Sequence, residues 1–280
     1  MQAVLDGTAI PPDNHDRSAP QLQWQTRIME AVATPVSVQT FRERVPTAGL
    51  APYVACVWTQ QVSRDAPPYP HRTAPNGSAA LVCELGKPPK LIGPQTGPTE
   101  EMVDPETTTV GVRLRPGTVL TVLGIPAAEL VDRTVQLDDV WGPAAVVLGE
   151  RVAGSSSPKE AASILEACVS AGVCDDRGLD PVVTASIREL LPGRINDMTA
   201  LAASMEVSTR QLRRRCEAAV GITPKALDRM FRMQRFLALA RQQDHRTTDL
   251  ATLAVEAGFA DQSTCPASAN GSPAAHLERR

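Results

Sequence analysis

The sequence predicts an α+β protein, with a mainly β amino-terminal domain followed by an all-α carboxy-terminal domain. Two textures carry this. Between residues 36 and 150, short apolar runs alternate with turn clusters; beyond Asp180 the periodic stretches have helical spacing and helical punctuation. A third observation is the distribution of charge. The 280 residues sum to only −3, yet residues 181–246 hold 12 basic against 6 acidic side chains. Residues 1–180 hold 14 against 21, and residues 247–280 hold 2 against 4. The basic segment lies wholly within the helical part.

Residues 1–35 read as a flexible tail, with Pro11, Pro12, Pro20 and Pro35 and weak periodicity. Over 36–152, the runs Tyr53–Trp58, Ala79–Leu85 and Thr108–Arg115 read as strands. Ala66-Pro-Pro, Pro75-Asn-Gly-Ser and Gly93-Pro-Gln-Thr-Gly-Pro98 are their turns, and some helix is expected after Gly117. Residues 153–179 read as a linker holding a short helix over about 159–169. From 180 to 280 the chain is helical, beginning with Asp180 as N-cap and Pro181 at the first helical position. That helix should stop near Leu191-Pro192-Gly193.

Several classes are excluded. No apolar run approaches the roughly 18 residues of a membrane helix. Met1 to Pro12 has no basic region followed by an apolar stretch, so no signal peptide is expected. Six scattered cysteines form no disulfide framework. Cys168 and Cys174 are poorly spaced for zinc, and His15, His71, His245 and His276 are dispersed, so neither metal nor cofactor is expected. Gly86-Lys87-Pro88 lacks a phosphate loop's other glycines, and Gly154-Ser-Ser-Ser lacks the closing glycine of a nucleophile elbow. Glu100-Glu101 and Asp138-Asp139 are adjacent, solvated pairs. No enzyme is expected, and a cytoplasmic location is.

The basic segment carries the functional signal. Asp197 can cap a helix that buries Leu201, Ala202 and Met205. Glu206-Val207 makes a tight turn, and Ser208 caps a second helix ending at Gly221. On a wheel of about 100° per residue, Leu212, Cys216, Ala219 and Val220 share one face of the second helix. Arg210, Arg213 and Arg214 share the opposite face. Arg pairs bidentately with guanine edges, and the first half of a recognition helix is the part that reaches bases. Gln211 lies among them. Arg215, at the flank, and the capping Ser208 fit phosphate contacts. A long helix from Pro224 to about Gln243 follows. It buries Leu227, Met230, Phe231, Phe236 and Leu237 and offers Lys225, Arg229 and Arg232 to phosphates.

A second unit repeats the pattern. Leu201-Ala202 matches Leu253-Ala254, Glu206-Val207 matches Gly258-Phe259 and, with one insertion, Ser208 matches Asp261. Two helix-turn-helix units joined by one long helix resemble the AraC-type transcription regulators. The stretches carrying the likeness are 201–208, 208–216, Val220-Gly-Ile-Thr-Pro224 and 249–263. The resemblance implies that double-stranded DNA is the partner and that both recognition helices sit in successive major-groove segments. By position, Gln262, Ser263 and Thr264 are the second helix's base readers. It also implies that the segments His71–Gly77, Gly93-Pro94, Gly111–Gly117, Gly124–Leu130 and Val140-Trp-Gly142 belong to a β-barrel-like module for a small-molecule effector or for homodimerisation. Trp58, His71, Arg72, Glu84, Arg113 and Trp141 are the residues that could line a pocket there.

The second unit departs from the pattern after Ser263. Arg213 corresponds to Pro266, Arg214 to Ala267 and Cys216 to Ala269. Pro266 would fall at the fifth position of a helix capped by Asp261, where proline costs about 3 kcal/mol. Either the unit has diverged, or the reading frame is disturbed between about Thr264 and Gly271, since Gly271-Ser-Pro-Ala-Ala-His-Leu returns to the family's closing pattern. The expected function is therefore a one-component regulator reading DNA mainly through its first recognition helix. The alternative is a ligand-binding or protein-interaction regulator with a partly degenerate DNA-binding domain.

Overall fold

A computed structural model describes residues 39–174, 178–190, 197–242 and 250–259. The tail expected over 1–35 lies outside the described residues. Among the described residues there are eight strands: β1 Gln39–Arg44, β2 Val54–Val62, β3 Tyr69–Thr73, β4 Ala80–Glu84, β5 Lys90–Ile92, β6 Thr99–Val103, β7 Thr108–Leu114 and β8 Thr134–Gln136. Six of them form an antiparallel sheet in the order β1-β2-β7-β4-β5-β8, and β3 and β6 form a separate two-stranded ribbon. This is the structural form of the module expected to be barrel-like.

Register explains how the sheet divides its faces. Val57, Val112, Leu81, Leu91 and Val135 lie in one row across five strands. With Cys83, Val110 and Leu114 they put an apolar face against helices, because side chains alternate between faces along a strand. The covering helices are α1 Val119–Leu123, α2 Asp138–Trp141, α3 Pro143–Ala153 and α4 Pro158–Gly172. The next rows, Cys56-Arg113-Ala80-Ile92 and Trp58-Gly111-Val82-Lys90, face the other way, toward the ribbon.

α4 is the helix expected over 159–169. Ser157 caps it by accepting the Glu160 N–H, and Pro158 opens it. It is no spacer. Ala161, Ala162, Leu165 and Val169 are buried in the β-domain core, because the apolar sheet face needs a helix to cover it. Its Glu166 accepts from Arg44 at 2.7 Å and from the Thr47 N–H at 2.6 Å, tying the helix to the end of β1.

The remaining helices are α5 Pro181–Glu189, α6 Met198–Ser204, α7 Thr209–Val220, α8 Pro224–Gln242 and α9 Leu250–Glu256. They build two cores. Leu201, Leu212, Cys216, Val220, Leu227 and Phe231 belong to the first. Phe236, Leu253, Ala254, Ala257 and Phe259 belong to the second. α8 contributes to both, its first half to one and its second half to the other.

Candidate nucleic-acid interface

The first unit is built by local chemistry. Asp180 caps α5, accepting from the Val182 and Val183 N–H groups. Asp197 caps α6 by accepting from Thr199. Between α6 and α7, Glu206 adopts φ 54°, and the Val207 N–H donates to the Ala202 carbonyl at 3.1 Å. The second unit repeats this turn. Gly258 takes φ 94°, and the Phe259 N–H donates to the Ala254 carbonyl at 2.9 Å. The matched residues thus hold matching backbone geometry.

α7 opens with a capping box. The Ser208 hydroxyl accepts the Gln211 N–H, and Gln211 Oε1 accepts the Ser208 N–H. Gln211 is therefore occupied by the cap. The helix ends at Gly221 in the left-handed region, φ 79°. Leu212, Cys216 and Val220 are buried, and burial pushes the Cys216 thiol up to about 12. Arg210, Arg213 and Arg214 are exposed on the opposite face. Arg213 leans on Glu217 at 2.9 Å, an exposed pair that competes weakly with any outside anion.

The flanking cations differ in their commitments. Arg215 is half-buried and bonds Asp180 at 2.7 Å, bracing α7 against the start of α5. Burial alone would raise the Asp180 carboxyl, but Arg215 and the two capping N–H groups hold it below its ordinary value. Arg232 is half-buried and paired with Asp228 one turn earlier. Burial outweighs that pairing and raises the Asp228 carboxyl. Lys225 and Arg229 are exposed one turn apart on α8. Gln262, Ser263 and Thr264, with Cys265, Pro266, Ala267 and Ala269, lie outside the described residues.

The helical part is held to the β domain by contacts for which no sequence signal exists. Gln234, buried on α8, donates to the carbonyls of Ala74 at 3.1 Å and Pro75 at 2.8 Å. Leu227 packs against Gly77 in the same loop. At the end of α7, Gly221 presses on the segment around Ala127 and Val131. A Cβ there would stand 2.5 Å from Val131 Cγ2, so the close approach requires glycine.

The other face of the sheet and the ribbon enclose a cavity of about 210 Å³. Of the six residues expected to line a pocket, Trp58, His71, Glu84 and Arg113 do so. Arg72 points outward and pairs with Glu100 at 2.6 Å, since it alternates with His71 along β3. Trp141 packs against the helical core of the β domain instead. The floor is Trp58, stacked with Phe41 at 5.7 Å. The Trp58 indole lies directly on Gly111, where an added Cβ would meet it at 2.3 Å.

Comparison with known proteins follows this division. A family described as a domain of unknown function matches residues 42–136. A helix-turn-helix domain family matches residues 201–267. Among curated proteins there is no match to the chain. Among solved structures it is similar to ToxT from Vibrio cholerae O395, with 13% identity, a TM-score of 0.38, and coverage of 79% of this chain and 96% of that one. A second crystal form of Vibrio cholerae ToxT is similar at 10% identity, covering 86% and 98%, with a TM-score of 0.36. An unsaturated-fatty-acid-bound wild-type ToxT from strain SCE256 of the same species is similar at 12% identity, covering 86% and 93%, with a TM-score of 0.35. The chain therefore carries a helix-turn-helix domain over residues 201–267, behind a mainly β domain.

Proposed function

We propose that this chain is a DNA-binding transcription regulator of the AraC type, that it reads its operator chiefly through α7, and that the β domain is its sensor for a small-molecule effector. One observation carries the first half. α7 is capped at both ends and buries Leu212, Cys216 and Val220, so Arg210, Arg213 and Arg214 are presented together on its exposed face. Arg213 and Arg214 read bases, with Arg210 at the helix start. Gln211 reads a base only after leaving its bond to the Ser208 N–H.

Lys225 and Arg229 take phosphates, and the Ser208 hydroxyl donates to one while still accepting from Gln211. Arg215 and Arg232 reach phosphates only by exchanging Asp180 and Asp228, so their main work is positioning. Gln262, Ser263 and Thr264 belong to a weaker second reader. The protein acts in the cytoplasm, where its DNA is, and a homodimer would place two α7 helices on one operator.

Selection of bound fragments from random duplexes tests this reading. One enriched major-groove segment per chain is the expected result, with Arg214→Ala relaxing its consensus. Failure to enrich any sequence, at low salt as well as high, would overturn it.

A further inference from the structure

The cavity between the six-stranded sheet and the β3–β6 ribbon has a specific chemistry. Its floor is an aromatic plane, Trp58 braced by Phe41 and supported from below by Gly111, with Ala80, Val82 and Ile92 beside it. Such a floor suits a flat ring stacked on the indole. The volume of about 210 Å³ is below the roughly 300–1,000 Å³ of drug-sized sites, which limits the occupant to one ring or a small fused pair.

The polar walls define the rest. Arg113 is buried, and its Nη2 stands 3.2 Å from Glu43 Oε1 without making a hydrogen bond. His71 keeps a buried Nδ1 that also lacks a hydrogen-bond partner. Buried polar atoms of this kind are normally satisfied, and both belong to residues lining the same space. The cations of the wall are already matched, Arg113 with Glu43, Lys90 with Glu101 and Lys87 with Glu84, while the Asp104 carboxylate is exposed among the lining residues. An anionic occupant would find each of these cations engaged and would meet the Asp104 carboxylate, so the chemistry favours a neutral one over an anion.

One wall of the cavity is the loop formed by Ala74, Pro75 and Asn76. The same loop is gripped from outside by α8, through Gln234 on the Ala74 and Pro75 carbonyls and Leu227 on Gly77. An occupant on the inside and the bridging helix on the outside therefore bear on one short segment.

We propose that this cavity binds a small, neutral, planar ring compound carrying a hydrogen-bonding group, and that its occupancy is passed to α8 through the 74–77 loop. The ring stacks on Trp58, and its polar group meets His71 and Arg113. The proposal rests on the reading of the β domain as a sensor and adds to it the ligand class and the route.

Titration calorimetry of the full chain at neutral pH tests the site, with phenol and indole as probes against cyclohexanol and benzoate. Phenol or indole should bind saturably, with cyclohexanol about two- to tenfold weaker for loss of stacking. Ala80→Phe, which fills the cavity, should abolish binding, and thermal unfolding checks that it folds. His71→Phe keeps a ring and removes the nitrogens; it should weaken phenol severalfold. Tighter binding of benzoate than of phenol overturns the neutral ligand. No saturable binding of either ring, or equal binding to Ala80→Phe, overturns the site.

The route is tested on a duplex recovered by selection. Phenol or indole should shift the wild-type affinity for that duplex, and Gln234→Leu should keep the ring affinity while losing the shift. An unaltered shift in Gln234→Leu, or no shift in the wild type, overturns the route. Recovery of a specific duplex together with failure of the ring probes separates this proposal's failure from that of the DNA-binding reading. Ring binding without any selected duplex separates them in the other direction.

Discussion

At the scale of single residues, what matters is which cations are free and which are engaged. Arg214 is exposed on the reading face of α7, whereas Gln262 belongs to a unit whose sequence places Pro266 where a helix would continue. Arg214→Ala should therefore weaken operator binding by about 1–3 kcal/mol, and Gln262→Ala by much less. Titration at one fixed salt concentration compares them, and equal losses would sink the claim that α7 dominates. Asp180 offers a pH test. Its carboxyl is held below its ordinary value, so the stability it contributes is complete above the unfolded value near 3.8 and is lost as pH falls through the folded value. Asp180→Asn keeps a capping oxygen and removes the charge. It should cost less than about 1 kcal/mol at pH 7, since the pair is partly exposed. The difference from wild type should fade on acidification below about pH 4, read from urea unfolding at several pH values.

At the scale of elements, the two helix-turn-helix turns are a natural comparison within one chain. Both place a residue in the left-handed region before the Val207 or Phe259 N–H closes onto the preceding helix. The second unit uses Gly258 there and the first uses Glu206, whose Cβ makes that conformation costly. Glu206→Gly should then stabilise the folded chain by up to about 1 kcal/mol, raising the thermal midpoint without altering operator preference. A lowered midpoint would show that the Glu206 side chain earns its place through contacts of its own. α4 shows the converse relation between sequence and element. It reads as a short helix in a linker, yet its small Ala161 and Ala162 let it lie close on the apolar face of the sheet.

At the scale of the whole molecule, a chain of net −3 concentrates its basic excess in one helical region. DNA affinity should fall steeply with salt despite the acidic total, because the slope counts phosphates neutralised and not net charge. Lys225→Ala with Arg229→Ala should make the slope of log affinity against log salt shallower by about two and leave the preferred sequence unchanged. A change in preferred sequence would move these residues from phosphates to bases. Contacts from Gln234 and Leu227 to the 74–77 loop and from Gly221 to Val131 join the β domain to the first unit. These contacts help to set the placement of α7 relative to the β domain.

Much of this was legible in the residues because it is local. The caps Asp180, Asp197 and Ser208, the stop at Gly221, and the buried stripe of Leu212, Cys216 and Val220 all follow from hydrogen-bonding groups and apolar spacing within one or two turns. So does the exposed arginine face, and so does the strand character of β2, β4 and β7. What the tertiary structure alone decided is non-local. The register of β2, β7 and β4 brings Trp58 onto Gly111 and places Arg113 in the same cavity as His71, residues more than forty positions apart. Arg72, expected beside His71, turns away because adjacent residues of a strand face opposite sides. Gln234 carries no sequence signal as a clamp, since a glutamine on a helix face is ordinarily solvated until a pair of carbonyls from another domain is brought against it. Short-range preference set the helix-turn-helix and its reading face; only long-range packing determined the cavity and the contact joining it to that face.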